Sequence, residues 1–137
     1  MRIDASEQEK NSYAAGFLDG EGCIGIQCTL HEERAYYGLH VQINNVNEDV
    51  INWLWQNYSG GYKSTRKSDV NKNRQQSYSW DIQSEPAYQF LQKVYRYAIV
   101  KRKQVELAFS FMNRQYNDSG ESFYLQTKVL NKRGIKP

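Results

Sequence analysis

Two glycines four residues apart, Gly16 and Gly20, followed at once by Glu21 and Gly22, constrain this chain more than any other stretch. The run from Tyr13 to Gly20 is rich in small residues and compatible with a helix, whereas from Gly22 onward the pattern alternates as a strand does. A helix therefore has to end at Gly20-Glu21-Gly22, and one acidic side chain stands where it gives way to a strand. The spacing of four puts Gly16 and Gly20 on one helical face, with Ala15 and Asp19 on the adjoining row. A glycine costs about 1 kcal/mol inside a helix. Two in one turn are expected where a second backbone packs closely against that face. The plainer alternative is a helix C-cap followed by a tight turn.

The remaining chain reads as alternating helices and strand pairs. Ser12 is the expected N-cap of the first helix, which Tyr13 opens and which runs to about Gly20. Ile24, Ile26, Cys28 and Leu30 then alternate with Cys23, Gly25, Gln27, Thr29 and His31, the period of a strand with one buried face. A turn over 31–35 leads to a second strand, with Leu39, Val41 and Ile43 inward and Gly38, His40, Gln42 and Asn44 outward. Asn47 caps a helix from Glu48 to about Tyr58, with Val50, Ile51, Trp53, Leu54 and Tyr58 on its apolar side. Strands follow at about Tyr62 to Lys67 and Gln75 to Ile82, joined by the polar loop Ser68 to Arg74, with Tyr78, Trp80 and Ile82 facing the core. Ser84-Glu85-Pro86 opens a further helix. Two more are expected at Lys101 to about Gln115 and Glu121 to about Lys132, the last with Phe123, Tyr124, Leu125, Val129 and Leu130 as its apolar side. The order is α+β, with antiparallel pairs and no βαβ repeat.

At 137 residues the chain is expected to form one domain over 1–137, large enough for a real core. No apolar run reaches the ~18 residues of a membrane span, and Met1-Arg2-Ile3-Asp4 starts no signal peptide, so no membrane partner and an intracellular location, in a prokaryotic cytoplasm or an organelle, are expected. Cys23 and Cys28 fall on opposite faces of one strand, which indicates neither a disulfide nor a zinc pair. His31 and His40 are the only histidines, too few for a histidine nuclease. The net charge of +3 hides an asymmetry. Up to Gly60 three basic residues stand against nine acidic ones, and from Gly61 fifteen stand against six, leaving −6 and +9. The basic second half is compatible with a phosphate-binding surface.

The nine residues Ala14-Ala15-Gly16-Phe17-Leu18-Asp19-Gly20-Glu21-Gly22 resemble the signature of the LAGLIDADG homing endonucleases, matching seven of its nine positions in identity or kind. Both acids, Asp19 and Glu21, fall where that family has acids. The departures are Ala14 in place of leucine and Glu21 in place of aspartate. The stretch from Ala87 to Gln104, with Phe90-Leu91 and Lys101-Arg102-Lys103-Gln104, resembles the family segment that delivers a lysine to the active site.

The resemblance implies an αββαββα domain with a four-stranded antiparallel DNA-binding sheet and additional C-terminal helices. It implies an intron-encoded, metal-dependent endonuclease that cuts double-stranded DNA at a long, roughly palindromic site, with no small-molecule substrate. One copy of the signature implies a homodimer packed through Ala15, Gly16, Asp19 and Gly20 about a twofold axis. Glu21 and the backbone carbonyl of Gly20 would bind Mg²⁺, or another divalent cation such as Mn²⁺, since oxygen ligands suit a hard cation. Asn45 would position the attacking water, and Lys101, with Lys103 as its fallback, would stabilise the charged transition state. Gln27, Thr29, His40, Gln42 and Asn44, and then Ser64, Arg66, Ser77 and Ser79, are the expected base readers on the outward sheet face. The rival reading is a catalytically silent DNA-binding regulator or RNA-splicing partner on the same scaffold. A third is an interaction domain that dimerises through the glycine face.

Overall fold

The structure, a computed structural model, describes residues 6–73 and 75–132. Met1 to Asp4, with their expected lack of a signal peptide, and Arg74, expected at the tip of the second hairpin, lie outside the described residues. Helix α1 spans Glu7–Glu21 and starts six residues before the expected first residue, Tyr13. Its cap is Ser6, whose Oγ accepts the Glu9 N–H at 3.1 Å while Glu9 Oε1 accepts the Ser6 N–H at 3.1 Å. This reciprocal pairing satisfies two donors at once. Ser12 lies inside the helix and spends its hydroxyl on the Glu9 carbonyl at 3.0 Å. The helix stops where expected, with Gly22 as its C-cap.

Strand β1 (Gly22–His31) pairs antiparallel with β2 (Arg34–Asn45) through a tight turn at Glu32 and Glu33. Their φ angles of 52° and 67° are the left-handed pair that a two-residue hairpin needs. The hairpin is longer than expected, and Asn45 is the last residue of β2 rather than the first beyond it. Leu30, expected on the buried row, is 72% exposed, because burial along β1 ends near Cys28 and the hairpin tip runs past the core.

Asn47 caps α2 (Glu48–Asn57) as expected, its Oδ1 accepting the Val50 N–H at 3.1 Å. Gly60 and Gly61 follow at φ 85° and 80°. A side chain at Gly61 would come within 2.4 Å of the Asp81 carbonyl, so the chain can turn here only on glycine. Strands β3 (Tyr62–Arg66) and β4 (Ser77–Gln83) complete a sheet of order β1-β2-β4-β3, antiparallel throughout. Helices α3 (Ser84–Val94), α4 (Arg102–Met112) and α5 (Glu121–Leu130) follow. The architecture is the expected αββαββα with two further helices.

One sheet face supplies Ile24, Ile26, Leu39, Val41, Ile43, Trp80 and Ile82 to the core. Leu18, Ile51, Leu54, Phe90, Leu91, Val94, Val105 and Phe111 from the helices complete it. Trp80 stacks edge-on against Phe90 with ring centroids 5.0 Å apart, and Tyr58 meets Phe90 in the same way at 4.8 Å.

Helix α5 departs from its expected role. Leu125 and Val129 are exposed, and its buried side chain is Thr127. The helix lies beside β1, where Thr127 Oγ1 accepts the Ile26 N–H at 3.3 Å and Asn131 Nδ2 donates to the Ile24 carbonyl at 2.7 Å. Two side chains thus occupy backbone groups that an edge strand otherwise leaves unpaired. Gly25 makes room for this, since a Cβ there would sit 3.0 Å from Thr127 Cγ2.

Candidate nucleic-acid interface and catalytic corner

With the helices gathered on one side, the other sheet face is polar and, among the described residues, uncovered. Register places His40 opposite Gln83, Gln42 opposite Asp81 and Asn44 opposite Ser79, and β3 adds Ser64 beside Ser79 and Arg66 beside Ser77. Gln27 and Thr29 continue this face along β1, both exposed. Six of the nine expected base readers, Gln42, Asn44, Ser64, Arg66, Ser77 and Ser79, line one open hollow of about 360 Å³. All of β3 is exposed, so the register settles the face of Ser64 and Arg66 where the sequence pattern did not.

Asp81 was missed by sequence reasoning. It is 3% exposed, yet it belongs to the outer face, alternating with the inward Trp80 and Ile82. That alternation was the available signal. Its Oδ1 accepts from Gln42 Nε2 at 2.6 Å and meets His40 Nε2 at 3.2 Å, and its Oδ2 accepts from the Ser79 hydroxyl at 2.8 Å. His40 Nδ1 in turn lies 3.1 Å from Gln27 Nε2, and Asn44 Nδ2 donates to Gln42 Oε1 at 3.3 Å. One hydrogen-bonded chain therefore crosses three strands.

At the end of α1, Glu21 is exposed. The Gly20 carbonyl lies in the last helical turn, where carbonyls have no intrahelical partner. Asp19, expected at a dimer interface, is half-buried and bonded within its own chain. Its carboxylate accepts the Ile99 N–H at 2.8 Å and the Lys101 N–H at 3.0 Å, and its backbone carbonyl accepts from Lys101 Nζ at 2.8 Å. Asp19 thus anchors the loop that leads into α4, and Lys101 places its ammonium at the C-terminal pole of α1, where the helix dipole favours a cation. Lys103 is exposed on α4. Asn45 turns toward a hollow between α1 and α2 that Tyr13, Phe17 and Trp53 also line, and its Oδ1 accepts the Asn47 N–H at 2.7 Å.

Ala15, expected at the dimer interface, is fully buried in this chain's own core, as are Ala14 and Leu18. Gly16 and Gly20 are different. Both are exposed, and a Cβ built on either meets nothing within 4 Å. A shallow depression lined by Ser12, Tyr13, Gly16, Phe17, Gly20 and Glu21 marks this outer stripe.

Among the described residues no group of three or more His, Cys, Asp or Glu side chains converges to hold a metal. Glu21 and the terminal carbonyls of α1 are nevertheless all hard oxygen donors, a set that fits Mg²⁺ better than a softer ion. Among the described residues no helix is long and apolar enough to cross a membrane.

Solved structures share this fold. The chain matches the homing endonuclease I-CvuI, solved in complex with the I-CreI target with Mg present and the DNA not cleaved, at a TM-score of 0.74 and 19% identity over 96% of this chain and 87% of the other. It matches the archaeal intron-encoded homing endonuclease I-Vdi141I, complexed with DNA, at 0.74 and 16% identity over 96% and 89%. Against the LAGLIDADG meganuclease I-AabMI, bound to uncleaved DNA, the TM-score is 0.62 at 21% identity, and 92% of this chain spans 46% of that one. No protein-family model matches the sequence, and no curated protein sequence matches it. The chain has the LAGLIDADG homing endonuclease fold.

Proposed function

We propose that this chain is a site-specific double-strand DNA endonuclease that works as a homodimer with a divalent metal. The observation that carries this reading is the position of Glu21. It stands exposed where the bare glycine stripe of α1 meets the first residue of the uncovered polar sheet, with the Lys101 ammonium held at the same helix end. A second chain packed on Gly16 and Gly20 would bring a second Glu21 to the same axis, giving one carboxylate for each DNA strand. The outer sheet face would lie in the major groove, with Arg66 and the polar residues around the hollow facing base edges and phosphates.

Hydrolysis requires in-line attack of water at phosphorus and departure of the sugar oxygen. Glu21 and the Gly20 carbonyl would hold Mg²⁺, which when bound supplies Lewis-acid stabilisation of phosphoryl oxygens and lowers the pKa of water. Lys101 spends one ammonium hydrogen on the Asp19 carbonyl. The other two are left to offset charge that develops on the phosphate. Asn45 has committed its oxygen to the Asn47 N–H, which leaves its amide hydrogens to orient water.

The test is cleavage of a randomised duplex library in Mg²⁺ by the wild type and by Glu21→Gln. The wild type is expected to give staggered, sequence-enriched double-strand cuts. The variant is expected to bind the same sequences and cut them at least about 100-fold more slowly, as loss of a metal ligand requires. Enrichment by binding with no cutting in the wild type would instead establish a regulator.

A further inference from the structure

Asp81 is an acid buried in the surface that the proposed function lays against a polyanion, which calls for a reason. A carboxylate only accepts hydrogen bonds, so every group around it must present a donor. Gln42 therefore turns its NH₂ inward, and its oxygen is left to accept from Asn44 Nδ2 at 3.3 Å. His40 presents Nε2 to Asp81 at 3.2 Å, and Gln27 turns its Nε2, which can only donate, to His40 Nδ1 at 3.1 Å, so Nδ1 is the acceptor of that pair. The directions propagate outward from one buried acceptor. At both ends of the chain an exposed amide is left with its polarity decided. Gln27 Oε1 and Asn44 Oδ1 have no partner among the described residues, and each amide keeps one N–H unspent.

We propose that Asp81 is a specificity-determining positioning residue, which orients Gln27 and Asn44 through His40 and Gln42 so that each reads adenine in the major groove. This rests on the proposal that the outer sheet face meets DNA. An amide offering one carbonyl oxygen and one N–H side by side matches the N6 donor and N7 acceptor of adenine, whereas guanine shows acceptors at both corresponding places. Without Asp81 both amides could rotate and present two hydrogens to guanine as readily. His40 and Gln42, read from the sequence as base readers, act here chiefly through their neighbours.

The experiment is enrichment from a randomised duplex pool by the full chain, with Gln27→Ala and Asn44→Ala locating the two base positions. The wild type is expected to prefer adenine about tenfold at each position, the discrimination of one good bidentate contact. Asp81→Ala is expected to bring both positions to parity with guanine. Gln42→Met should flatten the Asn44 position alone and His40→Phe the Gln27 position alone, a pattern that general loss of structure cannot produce. An unchanged profile in Asp81→Ala, a base other than adenine in the wild type, or flattening at every position in both single-arm variants overturns the inference and leaves the endonuclease reading standing. If the wild type enriches no sequence by binding or cutting, both fall together.

Discussion

Among the described residues two surfaces lack a neighbour within the chain, the outer face of the sheet and the outer stripe of α1, and they are chemically opposite. The sheet face is dense with amides and hydroxyls already bonded to one another around Asp81. The helix stripe is bare backbone at Gly16 and Gly20, with Tyr13 and Phe17 beside it. A preorganised polar surface suits a partner that is itself a pattern of donors and acceptors. A stripe stripped to backbone suits close van der Waals approach and little else. Being uncovered is therefore two different signals, and Glu21 lies at the seam between them.

The comparison breaks most sharply at Gly16. Gly16→Leu is expected to leave thermal stability intact, because open space surrounds the position, while making the chain monomeric in sedimentation. Affinity for a full two-half site should then fall by about 10²–10⁴ while half-site affinity is unchanged, as loss of bivalent binding requires. Equal losses on full and half sites would mean that the stripe does not serve a second copy. At the seam, Asp19→Ala strands two backbone N–H groups and should cost about 1–3 kcal/mol in urea unfolding. It should also slow cleavage by releasing Lys101, and Asp19→Asn should recover part of both.

Smaller effects sharpen the contrast. Gly16→Ala is expected to stabilise the isolated chain by about 0.5–1 kcal/mol, since a helical glycine gains from a methyl group that meets nothing, and yet to weaken self-association. Opposite signs in calorimetry and sedimentation are the signature of a residue retained for a contact outside the chain. Arg66→Ala on the sheet face should change stability by less than about 0.5 kcal/mol. Its effect should appear in the salt dependence of DNA binding, where the slope falls by about 1 for each phosphate that is no longer neutralised.

The helix-to-strand junction was legible in the sequence because Gly20 and Gly22 on either side of Glu21 both weaken a longer helix, and period-two alternation starts directly after them. The strands were legible because period-two burial leaves its mark residue by residue, as Ile24, Ile26, Leu39, Val41 and Ile43 show. Ser6 as the true cap is also written there, as Ser6-x-x-Glu9, but Ser12 stands directly beside the small-residue run and competes with it. Long-range placement is what a sequence does not carry. Asp19 meets the Lys101 backbone across 82 positions, and no local pattern distinguishes an acid that anchors a loop from one that lines an interface. Ala15 reads as part of a small-residue face because spacing gives the faces of a helix without saying which one the core will take. Asp81 escapes notice because an acid looks misplaced on a sheet expected to face DNA until its three donors are seen.

The seal that α5 puts on β1 has a consequence in time. Ile26 and Thr127 are 101 positions apart, so the ribosome makes the open edge long before it makes the residue that closes it. At about 5–20 residues per second, β1 waits roughly 5–20 s with its outer backbone groups exposed. Through that interval a nascent chain can pair with the β1 of a neighbour on the same messenger. Crowded translation is then a condition under which this protein is expected to aggregate.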